Sequence, residues 1–197
     1  MGVAGVFFGV LVGWIIGTQQ GSGRPPVPAA AAPAQASGAG ATPQAPPLDE
    51  SRASAMKMTA QQNPSDAVTR VQLGNMYFDA GKFPDAATWY EQALKINPKD
   101  VNASTDLGIA YYYMNQADRA LAQFDKSLAI QPDHAKTLLN IGIVRAFGKQ
   151  DLKGAAEVWQ KVLDVAPSSE EARAARQGLD SMRSAHPEAG APKGPGS

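Results

Sequence analysis

The sequence predicts an all-α protein: a solenoid of three helix-turn-helix units between two flanking capping helices, preceded by a transmembrane helix and a disordered linker. Three observations predict it. First, Pro64, Pro98, Pro132 and Pro167 are separated by 34, 34 and 35 residues (98−64, 132−98, 167−132), the period of a stacked helix-pair repeat. Second, the residues between them recur in register. Leu73-Gly74 with Tyr77 is matched by Leu107-Gly108 with Tyr111 and by Ile141-Gly142 with Arg145. Ala86, Tyr90 and Ala93 are matched by Ala120, Phe124 and Ser127, then by Ala155, Trp159 and Val162 after a one-residue insertion near Leu152. Third, charge is segregated: Arg24 is the only charged side chain between Met1 and Leu48, although the chain carries 18 Lys plus Arg and 18 Asp plus Glu.

Residues 1–23 hold no ionisable side chain, and Gly2 to Gly17 reads GVAGVFFGVLVGWIIG. As a helix these residues would span about 24 Å, and Met1 and Thr18 extend them towards the length a bilayer core requires. The segment reads as an uncleaved anchor. A cleaved signal is the alternative, but a basic n-region is missing and the nearest A-x-A site, Ala34-Gln35-Ala36, is far downstream. Myristoylation wants Ser or Thr where Val6 stands. Gly5, Gly9, Gly13 and Gly17 fall along one stripe that would let a second such helix approach, so self-association is expected there. The expected location is a single-pass membrane protein of the bacterial inner membrane.

Residues 24–47 (RPPVPAAAAPAQASGAGATPQAPP) are a Pro/Ala-rich linker by composition, reaching at most about 75 Å. Residues 48–66 read as an N-terminal capping helix, with Met56 at the position of the aromatic in the units that follow; a frayed extension of the linker is the alternative. The units occupy residues 67–100, 101–134 and 135–168. Gly74, Gly108 and Gly142 sit in mid-helix, where the absence of a side chain costs about 1 kcal/mol and makes sense only under a closely approaching neighbour. Tyr90, Phe124 and Trp159 are expected to fill the space between consecutive units. Asp66 and Asp100 are placed to cap the helices that follow them, and Gly81 and Asn115 mark the loop inside a helix pair. Residues 169–183 form a C-terminal capping helix with a Ser168-x-x-Glu171 capping box and Ala172, Ala175, Leu179 and Met182 on one face. Residues 184–197 are a disordered tail by composition, His186 included.

Composition excludes much chemistry. Without Cys there is no thiol nucleophile, disulfide, thiolate metal centre or covalent haem site, and with two His there is no His cluster. Balanced charge argues against a nucleic-acid partner. Asp133, His134 and Asp151 are helix-start residues, and neither Gly81-Lys82 nor Gly148-Lys149 completes a phosphate loop. The expectation is a protein that is not an enzyme and holds no cofactor and no metal.

The recurring Leu-Gly and Tyr on the first helix, Ala, aromatic and Ala on the second, and terminal Pro resemble the tetratricopeptide repeat (TPR). The resemblance covers residues 67 to 167, and the third unit departs at Arg145 and Val162, where Val144 and Trp159 offer extra bulk. It implies a right-handed superhelix whose groove, lined by the first helix of each unit, holds an extended or helical peptide of a partner protein. The positions concerned are Val71, Asn75 and Phe78 in the first unit and Thr105, Ile109, Tyr112 and Tyr113 in the second. In the third they are Lys136, Leu139, Ile143 and Phe147. Such a stripe at helical spacing also fits ordinary core between units. Tyr111 falls on the packing position, whereas Tyr112 and Tyr113 turn towards the groove.

One branch of the family grips a C-terminal carboxylate with a Lys and Asn, an Asn, and a Lys and Arg. This chain has Val71 and Asn75, Asp106, and Lys136 and Asn140 there, and Asp106 would repel a carboxylate. The reading that follows is a membrane-tethered interaction module, a scaffold or adaptor with a protein or peptide client. The alternative is an assembly factor resembling the anchored repeat modules of bacterial cytochrome c maturation, which hold an apoprotein for a separate enzyme. A cleaved, diffusing binding protein is a third reading. That resemblance favours the periplasmic side for the repeats, and Arg24 the cytoplasmic side.

Overall fold

The computed structural model describes residues 45–185. The expected transmembrane helix of residues 1–23, its glycines, the linker up to residue 44 and the tail beyond residue 185, with His186, lie outside the described residues. Among the described residues there are eight α-helices, no strand, and no helix long and apolar enough to cross a membrane.

Helix α1 spans Glu50–Gln62, α2 Ala67–Asp79, α3 Phe83–Ile96, α4 Val101–Tyr113, α5 Ala117–Ile130, α6 Ala135–Ile143, α7 Leu152–Val165 and α8 Glu170–Ala185. Three antiparallel pairs, α2/α3, α4/α5 and α6/α7, stack in sequence, with α1 against α2 and α8 against both α6 and α7. Helix α1 is a full helix rather than a frayed end: Ala53 and Ala60 are buried and Met56 packs on the core.

The helix starts repeat with the sequence. Asp66 Oδ1 accepts from Thr69 N at 3.0 Å and Asp100 Oδ1 from Ala103 N at 3.0 Å, so both aspartates cap free amides as expected. His134 holds the third such position and Ser169 the fourth, and Ser169 Oγ accepts from Ala172 N at 3.1 Å. The cap of α8 is therefore Ser169 and not Ser168. Ser169 is 35 residues beyond His134, so the repeat places the cap, and the apparent Ser168 box is one residue out of step.

The turns inside the pairs follow one design twice and a variant once. Gly81 (φ 71°) and Asn115 (φ 59°) take left-handed backbone just after α2 and α4. Lys82 N donates to Tyr77 O, and Gln116 N to Tyr111 O, closing Schellman caps. In the third unit α6 stops at Ile143 and the chain runs through a π turn, Val144–Gly148. Lys149 N reaches back to Val144 O and Asp151 N to Arg145 O, and Gln150 (φ 57°) supplies the left-handed residue. The inserted residue is absorbed within this π turn, before Leu152.

The glycines lie where aromatic rings leave no room for a side chain. A Cβ on Gly74 would stand 2.6 Å from Tyr90 Cδ1, and one on Gly108 2.6 Å from Phe124 Cδ1. Trp159 meets two glycines, Gly142 on α6 and Gly178 on α8, and its Nε1 donates to Leu139 O at 3.1 Å. Each ring thus packs against the glycine of its own unit, and Trp159 also meets the next element through Gly178. Ala86, Ala120 and Ala155 are fully buried, as are Val144 and Val162, so the third unit keeps a packed interior despite Arg145. The face of α8 that seals the array is Ala172, Ala174, Ala175 and Gly178, with Leu179 and Met182 half-buried at its edge.

Candidate functional site

Helices α2, α4 and α6 lie side by side, and direct contacts join them. Phe78 on α2 meets Tyr113 on α4 edge-on, ring centroids 5.3 Å apart. Between α4 and α6, Lys136 Nζ lies 2.6 Å from Asp106 Oδ1, with both side chains mostly buried. The Thr105 and Thr137 hydroxyls are 2.7 Å apart across the same seam.

The eleven expected groove residues do not form one open surface. Val71, Asn75, Phe78, Tyr112, Tyr113 and Lys136 are half-buried and Phe147 is 37% exposed. Thr105 (0%), Ile109 (9%), Leu139 (3%) and Ile143 (4%) are buried. The hydroxyl of Thr105 is drawn into the α4–α6 seam, and α8 packs on α6 and closes over the third unit. The open part of the groove therefore belongs mainly to the first two units. Asn75 and Asn140 are already engaged: Tyr90 Oη donates to Asn75 Oδ1 at 2.8 Å, and Asn140 Nδ2 donates to Lys136 O at 2.8 Å.

The open part is aromatic. Phe83, the first residue of α3, stacks on Tyr113 at 4.5 Å and meets Phe78 edge-on at 5.2 Å, while Tyr112 lies 6.2 Å from Tyr113. Partial burial pushes the phenols of Tyr112 and Tyr113 up to about 12, so both stay neutral donors under ordinary conditions. Sequence reasoning missed Phe83, because Ala117 and Leu152 stand near its place in the other units and nothing in the repeat marks it. It also missed Asp79, the last residue of α2, four residues on from Asn75 along the same face. Its carboxyl is raised above the usual range by burial and by the neighbouring charge of Asp106.

Behind the groove runs a chain of hydroxyls whose direction is fixed. Thr105 Oγ1 donates to Val101 O at 2.7 Å, so it accepts from Thr137 Oγ1, which in turn accepts from His134 Nδ1 at 2.7 Å. His134 therefore carries its proton on Nδ1, and only Nε2 is left to titrate. Burial, then the charge of Lys136, lowers its pKa, while Glu171, Asp106 and Asp133 act against that shift. No group of three or more His, Asp or Glu side chains among the described residues is placed to hold a metal.

A family model described as the TPR repeat matches residues 74–115, from the glycine of α2 to the turn after α4. No curated protein matches the chain. Among solved structures, the chain is similar to MamA, at 17% identity and TM-score 0.57, covering 70% of this chain and 91% of that one. It is similar to the first TPR of Spaghetti (RPAP3) bound to the HSP90 peptide SRMEEVD, at 24% identity and TM-score 0.55, covering 62% and 94%. The Sgt2 TPR domain from Aspergillus fumigatus matches at 21% identity and TM-score 0.55, covering 67% and 89%. Residues 74–115 thus match the tetratricopeptide repeat, and the described helices share the fold of these TPR domains.

Proposed function

We propose that the chain is a protein-interaction module that holds a peptide segment of a partner across α2 and α4, tethered to a membrane through residues 2–17. The observation that carries the groove reading is the half-open aromatic cluster of Phe78, Phe83, Tyr112 and Tyr113. Rings that bring large contact area at little entropic cost, set among buried supports, are what binding hot spots are made of. The Spaghetti TPR, which is bound to an HSP90 peptide, supports the same use of this fold. Its peptide ends in a carboxylate, whereas here Lys136 is already paired with Asp106, which argues for a client of different chemistry. Support for the tether is the uncharged run from Gly2 to Gly17.

The test is a pull-down from solubilised membranes with wild type, Tyr112→Ala and Tyr113→Ala, followed by mass spectrometry. A client retained by wild type and lost by folded tyrosine variants supports the groove. Unchanged capture moves the site elsewhere. Carbonate washing tests the tether separately, since release of the intact protein would remove it.

A further inference from the structure

We propose that the aromatic cluster of the groove takes a proline-rich segment of a partner protein in its extended polyproline form, with Tyr113 donating a hydrogen bond to one of the segment's carbonyls. This deepens the groove reading and rests on it.

The Tyr113 hydroxyl is a donor that lacks an acceptor. It makes no hydrogen bond with any described residue, and since no buried side-chain N or O atom among them lacks a partner, it opens to solvent. A client helix has little use for it, because a helix spends its carbonyls on its own amides. Strand pairing is excluded as well, because the described residues form helices and present no strand edge. What the hydroxyl suits is an extended segment with unpaired carbonyls. Most such segments also bring N–H groups, and the acceptors bordering the cluster are engaged, Asn75 Oδ1 by Tyr90 at 2.8 Å and Asp106 Oδ1 by Lys136 at 2.6 Å. Proline brings no N–H.

The rings supply the contact surface. Phe83 and Tyr113 stack 4.5 Å apart with planes 21° from parallel, and Phe78 stands edge-on to both, at 66° and 87°. Aromatic faces set nearly at right angles make a corner that a flat pyrrolidine ring fills on two sides. The corner is formed before any client arrives. Phe78, Tyr112 and Tyr113 rest on the core, and a Cβ on Gly148 would lie 3.1 Å from Tyr112 Cε2, so the π turn closes against the far side of that ring. A polyproline segment is preset in the same way, and binding then orders little on either side.

Charge agrees with an uncharged client. Lys82, just before Phe83, pairs with Glu50 at 3.2 Å, and Lys149, just after Gly148, pairs with Asp118 at 2.7 Å. With Lys136 held by Asp106, none of the three is left to attract an acidic segment.

The experiment titrates three fluorescein-labelled probes, decaproline, a Gly-Ser decapeptide and an amphipathic Ala-Leu-Lys helix, against the full chain in detergent micelles. Anisotropy is read against empty micelles for wild type, Tyr113→Phe and Phe83→Ala, each checked by thermal melt. Wild type should bind decaproline about tenfold or more tightly than the Gly-Ser peptide. Tyr113→Phe keeps the ring and should weaken decaproline about two- to tenfold, and Phe83→Ala about tenfold or more. If Phe83→Ala does not fold, Tyr113→Phe decides alone, since it removes a single oxygen. Equal affinity for decaproline and the Gly-Ser peptide, or a Tyr113→Phe variant that binds decaproline like wild type, would overturn the assignment. The groove itself stands in that case if the helical probe binds and depends on Phe83 or Tyr113. If no probe depends on either ring, the groove reading falls and this inference falls with it. Decaproline binding that appears only after Pro25, Pro26, Pro28 and Pro33 are changed to Ser would make the chain's own segment the occupant and overturn the assignment to a partner.

Discussion

Lys136 and Asp106 form a 2.6 Å ion pair between α6 and α4, so a carboxylate of the chain's own occupies the cation that a client's acidic end would seek. In the groove reading the pair would compete with such a client. Replacing Asp106 by Asn should release Lys136 and remove a repelling charge. The peptide SRMEEVD should then bind at least about tenfold more tightly than to wild type, measured by fluorescence anisotropy. Because Lys136 would be left half-buried without its partner, the variant should also lose about 1 to 3 kcal/mol of stability. Equal affinity of the two proteins for the peptide would show that the pair does not govern selectivity.

Residues that hold the array together should separate from residues that face outward. Phe124 is fully buried against Gly108, and Phe124→Ala should cost about 3 to 5 kcal/mol. Tyr112→Ala removes a half-buried ring at the rim of the cluster and should cost under about 1.5 kcal/mol. Chemical denaturation measures both, and equal losses would mean that the cluster is core rather than surface.

The glycine positions admit a converse test. Gly142→Ala drives a methyl group into the Trp159 ring, which is also blocked by Gly178 and tied to Leu139 O, so the ring has no direction in which to yield. A loss of about 1 to 3 kcal/mol or more is expected. Calorimetry of the variant checks this; a melting temperature at the wild-type value would show that the indole moves.

His134 sets a pH dependence of definite sign. Its folded pKa lies below the ordinary value of 6.5, so the unfolded chain binds the extra proton more readily. Its contribution to stability should therefore be intact above about 6.5 and decline as pH falls below it. Asp79 acts in the opposite sense at lower pH, since its folded pKa is raised and protonation relieves the folded state. Thermal melts of wild type and His134→Asn from pH 8 to pH 5 should show a shallower decline in the variant. Parallel curves would assign the pH dependence to other groups.

How much the sequence told depended on what repeats. Gly74, Gly108 and Gly142 as points of close approach, and the caps at Asp66 and Asp100, were legible because each feature is built more than once, whereas the ring that each glycine meets was not. Features that occur once were hidden. Gln in a left-handed turn is disfavoured, so Gln150 gave no signal, and the π turn left only an extra residue in the spacing. Burial of Thr105, Leu139 and Ile143 was illegible for another reason. For Thr105 it follows from the hydroxyl contact with Thr137 across α4 and α6, which helical periodicity does not contain.

The π turn at Val144–Gly148 has a consequence for how such an array keeps count. An added residue in a regular helix swings everything after it by about 100° and carries it forward about 1.5 Å, which would take Trp159 off Gly142 and Ser169 off the start of α8. Here the surplus is confined to one widened turn. The later parts resume their phase, with Trp159 over Gly142 and Ser169 at its cap. The turn works like the leap day of a calendar: one irregular interval takes up the excess so that every later date still falls in its season.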